Sequence, residues 1–364
     1  MKTLLKLICA VLFFVTINGC KKNNVLPLKS ENKRLSDLTY LTKLGYDTTG
    51  TIELATYYLI EGDILIPKHS LSVTSRQAIQ SYNNLIDVAK QQNITIRIDA
   101  SMPNNGGDLD WITEVSQAIS EYNSLQNSNI RLSLVTGSTA DITVGVSNVS
   151  PSNGLNLPSN VIAAAGLPLN GNPFTNVVIN SGYVQSSTVS SGQKKYNLVH
   201  EIGHCLGFRH TNWYGMGESN TLGVGSSPNS GVDPDASSVM NGFTALNSWN
   251  GFSYWDIYAI SYLYALPKVS IMVNNTSTSG LIRGGINFNN TYGFVASGNL
   301  GSAQSNNQVM ISPGYYSLTA NLAPGEDPIY VSVGGASPVL ISGFGGTSLG
   351  TYYVSTGFYV NAYR

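Results

Sequence analysis

Residues 200–210 read His200-Glu201-Ile202-Gly203-His204-Cys205-Leu206-Gly207-Phe208-Arg209-His210 and hold three of the chain's four histidines. Side chains four apart on an α-helix differ by about 40° in azimuth, so His200 and His204 leave one face and can share one ion. Glu201 lies about a quarter-turn round. From there it cannot easily join them as a ligand, but it can reach a water held on the metal. Three residues past His204, Gly207 can take the left-handed conformation that ends a helix and swings His210 back onto the ion. Three neutral imidazoles leave a zinc ion's fourth position open, the arrangement of a catalytic rather than a structural centre. Chance is a poor rival. With four His, eight Glu and 37 Gly in 364 residues, the pattern HExxHxxGxxH is expected about one time in a million.

These residues resemble the metzincin clan of zinc endopeptidases, and His-Glu-Ile-Gly-His is similar to the string of the dual-action HEIGH metallopeptidase family within it. The resemblance spans roughly residues 91–267. It implies one catalytic Zn2+ on His200, His204 and His210, acting on a protein or peptide substrate. Glu201 is then the general base that takes the water's proton and returns it to the leaving amine. The clan also carries a methionine turn below the zinc. Ser238-Val239-Met240-Asn241 fits it, with Met240 as the apolar floor. Ser253 to Tyr264 has helical periodicity and would be the clan's C-terminal helix. By the same analogy, Val161 to Ala165 is the strand whose edge pairs with an extended substrate. Two positions depart from the astacins. Gly242 stands where astacins and serralysins have tyrosine, and Thr211 follows the third histidine where astacins have glutamate.

Upstream, Ile60-Glu61-Gly62-Asp63-Ile64 resembles the F-x-G-D segment of astacin prosegments, in which the aspartate ligates the zinc and displaces the catalytic water. The resemblance implies Asp63 as a latency ligand. A carboxylate oxygen is an ordinary zinc ligand, and Gly62 lets the backbone approach the cleft closely. The same residues also read as a β-turn between two short strands, Thr56 to Ile60 and Ile64 to Ile66.

Away from the motif, residues 21 to about 48 carry six basic side chains with little apolar periodicity and read as a tether. Helical spacing runs from about Ser72 to Lys90. Ile94, Ile96 and Ile98 alternate with polar residues as a half-buried strand, and Asp108 to Leu125 reads as an amphipathic helix with Asp108 and Asp110 at its positive end. Leu132 to Leu134, Ile142 to Val146 and Asn176 to Ile179 supply further strands. Strands alternating with helices give an α/β class, a twisted mixed sheet with two or three long helices. Composition shifts at about Pro267. The last 97 residues hold five charged side chains (Lys268, Arg283, Glu326, Asp327 and Arg364) and short Val/Ile/Tyr-rich runs, the pattern of a small all-β sandwich. The expected division is a signal peptide at 1–20, a tether and prosegment at 21–90, a metallopeptidase domain at 91–267 and a β-sandwich at 268–364.

Lys2 and Lys6 followed by an apolar run from Leu7 to Ile17 read as a secretory signal, too short to span a bilayer as a helix. Asn18-Gly19-Cys20 resembles a bacterial lipobox, which implies lipidation at Cys20 and an extracytoplasmic membrane lipoprotein; a plainly cleaved signal is the alternative. Charged residues are only 11% of the chain and the net charge is −1, which argues against a nucleic-acid partner. The three cysteines build no disulfide framework. Asp233-Pro-Asp235 and Gly107-Asp108-Leu-Asp110 are the residues able to ligate calcium, but read better as a turn and a helix start. His69 reads as a solvated loop residue and Cys205 as a buried small side chain. The rival function is a surface adhesin or glycan-binding lipoprotein with the zinc domain as scaffold. An intact Glu201 argues against it, since a scaffold needs no base. Oligomeric state is not legible.

Overall fold

The structure is a computed structural model that describes residues 28–71, 85–147, 155–183, 188–212, 235–290, 293–355 and 357–364. Cys20, Asp233 and most of the helical spacing expected over 72–90 lie outside these residues.

The stretch read as a tether is an α-helix, α1 (Leu28–Lys43). Its lysines conceal a buried stripe of Asp37, Tyr40 and Leu41. Lys33 pairs with Asp37 one turn on at 2.6 Å, and Asp37 also accepts the Tyr58 hydroxyl at 3.3 Å. Three strands follow: β1 (Ile52–Glu53), β2 (Tyr57–Ile60) and β3 (Ile64–Pro67). A 3₁₀ turn over Lys68–Leu71 carries His69, which is exposed as expected. The helix and strands close a small core of their own, built on Tyr40, Leu41, Tyr58, Ile60, Ile64 and Leu71 with Leu167.

Of the helix expected over about Ser72 to Lys90, the described residues hold one turn, α2 (Val88–Gln91), and Leu85 to Asp87 before it are not helical. The elements after it match the expected periodicity: β4 (Ile94–Ile98), α3 (Ile112–Ser124), β5 (Leu132–Leu134), β6 (Ile142–Val146), β7 (Ala163–Ala165), β8 (Asn176–Ile179), α4 (Ser191–Cys205) and α5 (Tyr254–Leu263). Asp110 accepts the backbone N–H groups of Asn105, Gly106 and Ile112, so that acidic pair is a helix-start turn. The strands join one mixed sheet in the order β1-β2-β3-β7-β8-β6-β4-β5. β4, β5, β6 and β8 are parallel, whereas β7 runs antiparallel to β8. Its central strands β6, β7 and β8 are buried almost throughout, as strands covered on both faces are, and α3 and α4 pack against the sheet in one large core.

The β7 edge is taken in part from within the chain: β3 lies parallel beside its end, with Ile64 opposite Ala165 and the Ala165 N–H donating to the Asp63 carbonyl at 3.2 Å. Beyond α5 come β9 (Val269–Asn275), β10 (Leu281–Asn290), β11 (Gly293–Ser302), β12 (Ser305–Ile311), β13 (Gly314–Leu322), β14 (Ile329–Val333), β15 (Val339–Ile341), β16 (Thr347–Val354) and β17 (Tyr359–Tyr363). They form sheets β11-β10-β13-β16 and β12-β9-β17-β14-β15 around a separate core. Inward apolar residues alternate with outward Asn, Ser, Thr and Tyr, the signature of a sandwich wet on both outer faces. No helix among the described residues is long and apolar enough to cross a membrane.

Candidate metal centre

α4 starts at a capping box in which Ser190 and Gln193 satisfy each other's backbone N–H groups, and it runs buried from Tyr196 to Cys205. Its last two turns carry His200, Glu201 and His204. The helix stops at Leu206. Gly207 follows at φ +102°, in the left-handed region, and the Phe208 N–H returns to the Gly203 carbonyl at 2.9 Å. This reversal brings His210 back to the face that His200 and His204 share, as the spacing required.

The strap between β2 and β3 completes the cluster. Asp63 Oδ2 lies 3.4 Å from His200 Nε2, and its Oδ1 lies 3.5 Å from His204 Nε2 and 3.1 Å from His210 Nε2. The turn between the strands is therefore present, and it carries its aspartate onto the three histidines. Both readings of Ile60–Ile64 describe the same residues.

Whether these residues suit a metal is decided by their hydrogens. His200 Nδ1 lies 2.7 Å from the Val239 carbonyl and His204 Nδ1 lies 2.7 Å from the Phe208 carbonyl. A carbonyl only accepts, so both Nδ1 atoms carry the proton and both Nε2 atoms carry a lone pair. Those two Nε2 atoms stand 3.0 Å apart. Facing lone pairs at that separation repel unless a cation lies between them. The four ligand atoms fall within 4.8 Å of one another. A tetrahedron with bonds of about 2.0–2.1 Å has edges of about 3.3 Å, which matches the spacings above. The residues fit one zinc ion, and they are the one such group among the described residues.

Electrostatics agrees. Burial drives His204 down to about 4, so it is neutral and able to ligate. Burial opposes the charge of Asp63, but the pull of the His210 imidazole beside it outweighs that and holds the carboxyl well below its usual range. Glu201 moves the other way. Burial, then the charge of Asp63, raises it well above an ordinary carboxyl, against the opposing pull of His210 and of the Ala165 N–H. Its Oε2 is buried with no hydrogen-bond partner, and Glu201 lines a cleft of about 330 Å³ together with His200, Asp63 and residues of β7 and the 241–247 segment.

Met240 is buried, and its turn is tied down by Thr211 and by Asp256, the latter a residue that the sequence reading did not single out. Asp256, in the first turn of α5, accepts from Ser238 Oγ at 2.6 Å and from the Val239 N–H at 3.0 Å. Thr211, beside the third histidine, donates its N–H to the Met240 carbonyl at 2.9 Å, and its hydroxyl lies 2.7 Å from that of Ser238. Because the Val239 carbonyl holds His200, Asp256 orients a metal ligand through the turn, as residues behind metal ligands commonly do. The legible signal was Ser253-x-x-Asp256, a cap pattern. Glu61 and Arg209 were missed too; they meet at 2.6 Å, side chains almost wholly buried.

A helix that supplies two histidines and a glutamate, closed by a third histidine over a methionine turn, belongs to a metallopeptidase, a zinc-dependent hydrolase of peptide bonds. The model of the dual-action HEIGH metallopeptidase family matches residues 60–264, more than half of the chain, and the chain belongs to that family. The matched span begins at the strap and ends at α5. Two solved structures of myroilysin are similar at 18% and 17% identity, each covering 50% of this chain and 84% of the other, with TM-scores of 0.29 and 0.28. No curated protein matches.

Proposed function

We propose that the chain is a zinc endopeptidase in which Glu201 is the general base, and that the strap carrying Asp63 keeps it latent. The observation that carries the first half is the buried, unpartnered Oε2 of Glu201 at the cleft beside the three histidines. When bound, zinc supplies a Lewis acid that polarises the scissile carbonyl and acidifies a water. His200, His204 and His210 would hold the ion, the rings of His200 and His204 fixed by the Val239 and Phe208 carbonyls. Glu201 takes the proton of the attacking water and hands it to the leaving amine. Its raised affinity for a proton falls once Asp63 departs, because that charge is one cause of the rise. Met240 closes the floor.

Two contacts support latency. With the three histidines holding zinc, Asp63 would be a fourth ligand in place of the attacking water, and β3 pairs with the end of the β7 edge along which an extended substrate would lie.

In the Asp63→Ala background, Glu201→Gln should bind zinc as Asp63→Ala alone does and hydrolyse nothing; peptide cleavage at the rate of Asp63→Ala alone overturns the base. Asp63→Ala should make the uncut chain active on a quenched fluorescent peptide. A variant as silent as the parent overturns latency. Restoration of activity by zinc after chelation separates both from an inert scaffold.

A further inference from the structure

Asp63 is not the strap's only hold on the centre. Two residues before it, Glu61 sits in the left-handed region at φ +53°, which costs a non-glycine residue about 1 kcal/mol or more. Glycine would take that conformation freely. Such strain persists only where the surroundings over-determine it, and here they do. Glu61 Oε1 accepts from Arg209 Nη2 at 2.6 Å and from the Asp47 N–H at 2.9 Å. The Arg209 guanidinium in turn lies over the Tyr46 ring, 4.4 Å from its centroid. Asp47 and Tyr46 follow α1, on the strap's side of the molecule, whereas Arg209 immediately precedes the ligand His210. One buried carboxylate therefore ties the N-terminal unit to the segment that carries the third histidine. The distance from Glu61 to Asp63 is two residues, and from Arg209 to His210 one. Fixing the first pair fixes where the second pair meets.

We propose that Glu61 is a positioning residue for latency: its ion pair with Arg209 sets the strap so that Asp63 reaches all three imidazoles. The inference rests on the reading that Asp63 blocks the centre. A glutamate that only stabilised the fold would lower the melting temperature when replaced and leave Asp63 in place. A positioning glutamate changes the metal's surroundings while the rest of the chain stays folded.

The test uses the full chain, in the parent, Glu61→Gln, Asp63→Ala and double-substituted forms, loaded with Zn2+ for hydrolysis and with Co2+ for visible spectra. Breaking a buried pair strongly disfavours the arrangement it holds, so uncut Glu61→Gln should cleave a fluorescent peptide at least about tenfold faster than the parent. Its cobalt spectrum should move toward that of Asp63→Ala, and amide hydrogens of residues 57–67 should exchange faster in the metal-free chain. Adding Glu61→Gln to Asp63→Ala should raise activity no further, because the glutamate acts through the aspartate. If Glu61→Gln fails to fold, Arg209→Lys breaks the fork from the other side and must give the same shifts. An active Asp63→Ala beside a Glu61→Gln that keeps the parent's silence, spectrum and exchange overturns the role of Glu61 and leaves latency standing. If Asp63→Ala is itself silent with an unchanged spectrum, the latency reading falls and this inference with it.

Discussion

A Cβ built on Gly203 would lie 2.5 Å from Met240 Sδ and 3.1 Å from Tyr122 Oη. The fourth letter of the HEIGH string is thus set by packing: the methionine floor and a buried tyrosine press against the helix where no side chain fits. Neither neighbour can easily retreat. Met240 is buried, and the Tyr122 hydroxyl donates to the Val199 carbonyl at 2.8 Å. Two effects oppose each other in Gly203→Ala. Alanine in a helix interior gains about 1 kcal/mol of propensity, whereas overpacking a filled core costs about 1–3 kcal/mol. A contact at 2.5 Å places this site at the upper end, so steric cost wins. Gly203→Ala should lose about 1–2 kcal/mol in chemical denaturation and release zinc to a chelator faster than the parent. An alanine variant as stable as the parent, with unchanged zinc release, would show that Met240 moves aside at no cost.

Elements differ in how far they could be read. α4 and its three ligands were legible because 3.6-residue periodicity and a left-handed stop at Gly207 are local facts, independent of what surrounds them. The alternating strands β4 and β6 were legible for the same reason. β7 was legible as a strand, but its neighbours β3 and β8 were not, since nothing local to Ala163–Ala165 reports which strand lies alongside. α1 was hidden by composition: its lysines suggest a solvated tether, and only the company of Tyr58 and Ile60 turns Asp37, Tyr40 and Leu41 into an inward stripe. Asp63 came from resemblance, because a Gly-Asp pair alone is an ordinary turn. Its partner contacts were beyond reach. Glu61 and Arg209 lie 148 residues apart, and Asp256 holds a turn 17 and 18 residues upstream of it. Such pairs carry no period.

At the scale of the molecule, the apolar residues of the zinc-bearing sheet and those of the C-terminal sandwich form separate clusters with no member in common. Among the described residues, polar contacts join them: a hydrogen bond from Ser312 Oγ to the Leu266 carbonyl at 3.3 Å and the close approach of Gly314 to Asn127. Neither reaches the histidines. Asp256, Met240 and the strap, which do, all precede Pro267. Hydrophobic burial scales with the apolar area removed from water, so separating two cores that share no residue forfeits little of it. A chain ended after Leu266 should therefore keep its zinc. In the Asp63→Ala background it should cleave a soluble peptide within about twofold of the full-length rate, since polar contacts of this kind are worth only about 1 kcal/mol each. The full chain should melt in two steps, one of which disappears on truncation. A truncated chain that loses zinc and melts far below the full chain's first transition would show that the sandwich is needed to hold the metal site together. The decisive comparison is zinc content against melting temperature. A stability role lowers both, and an appended module lowers neither.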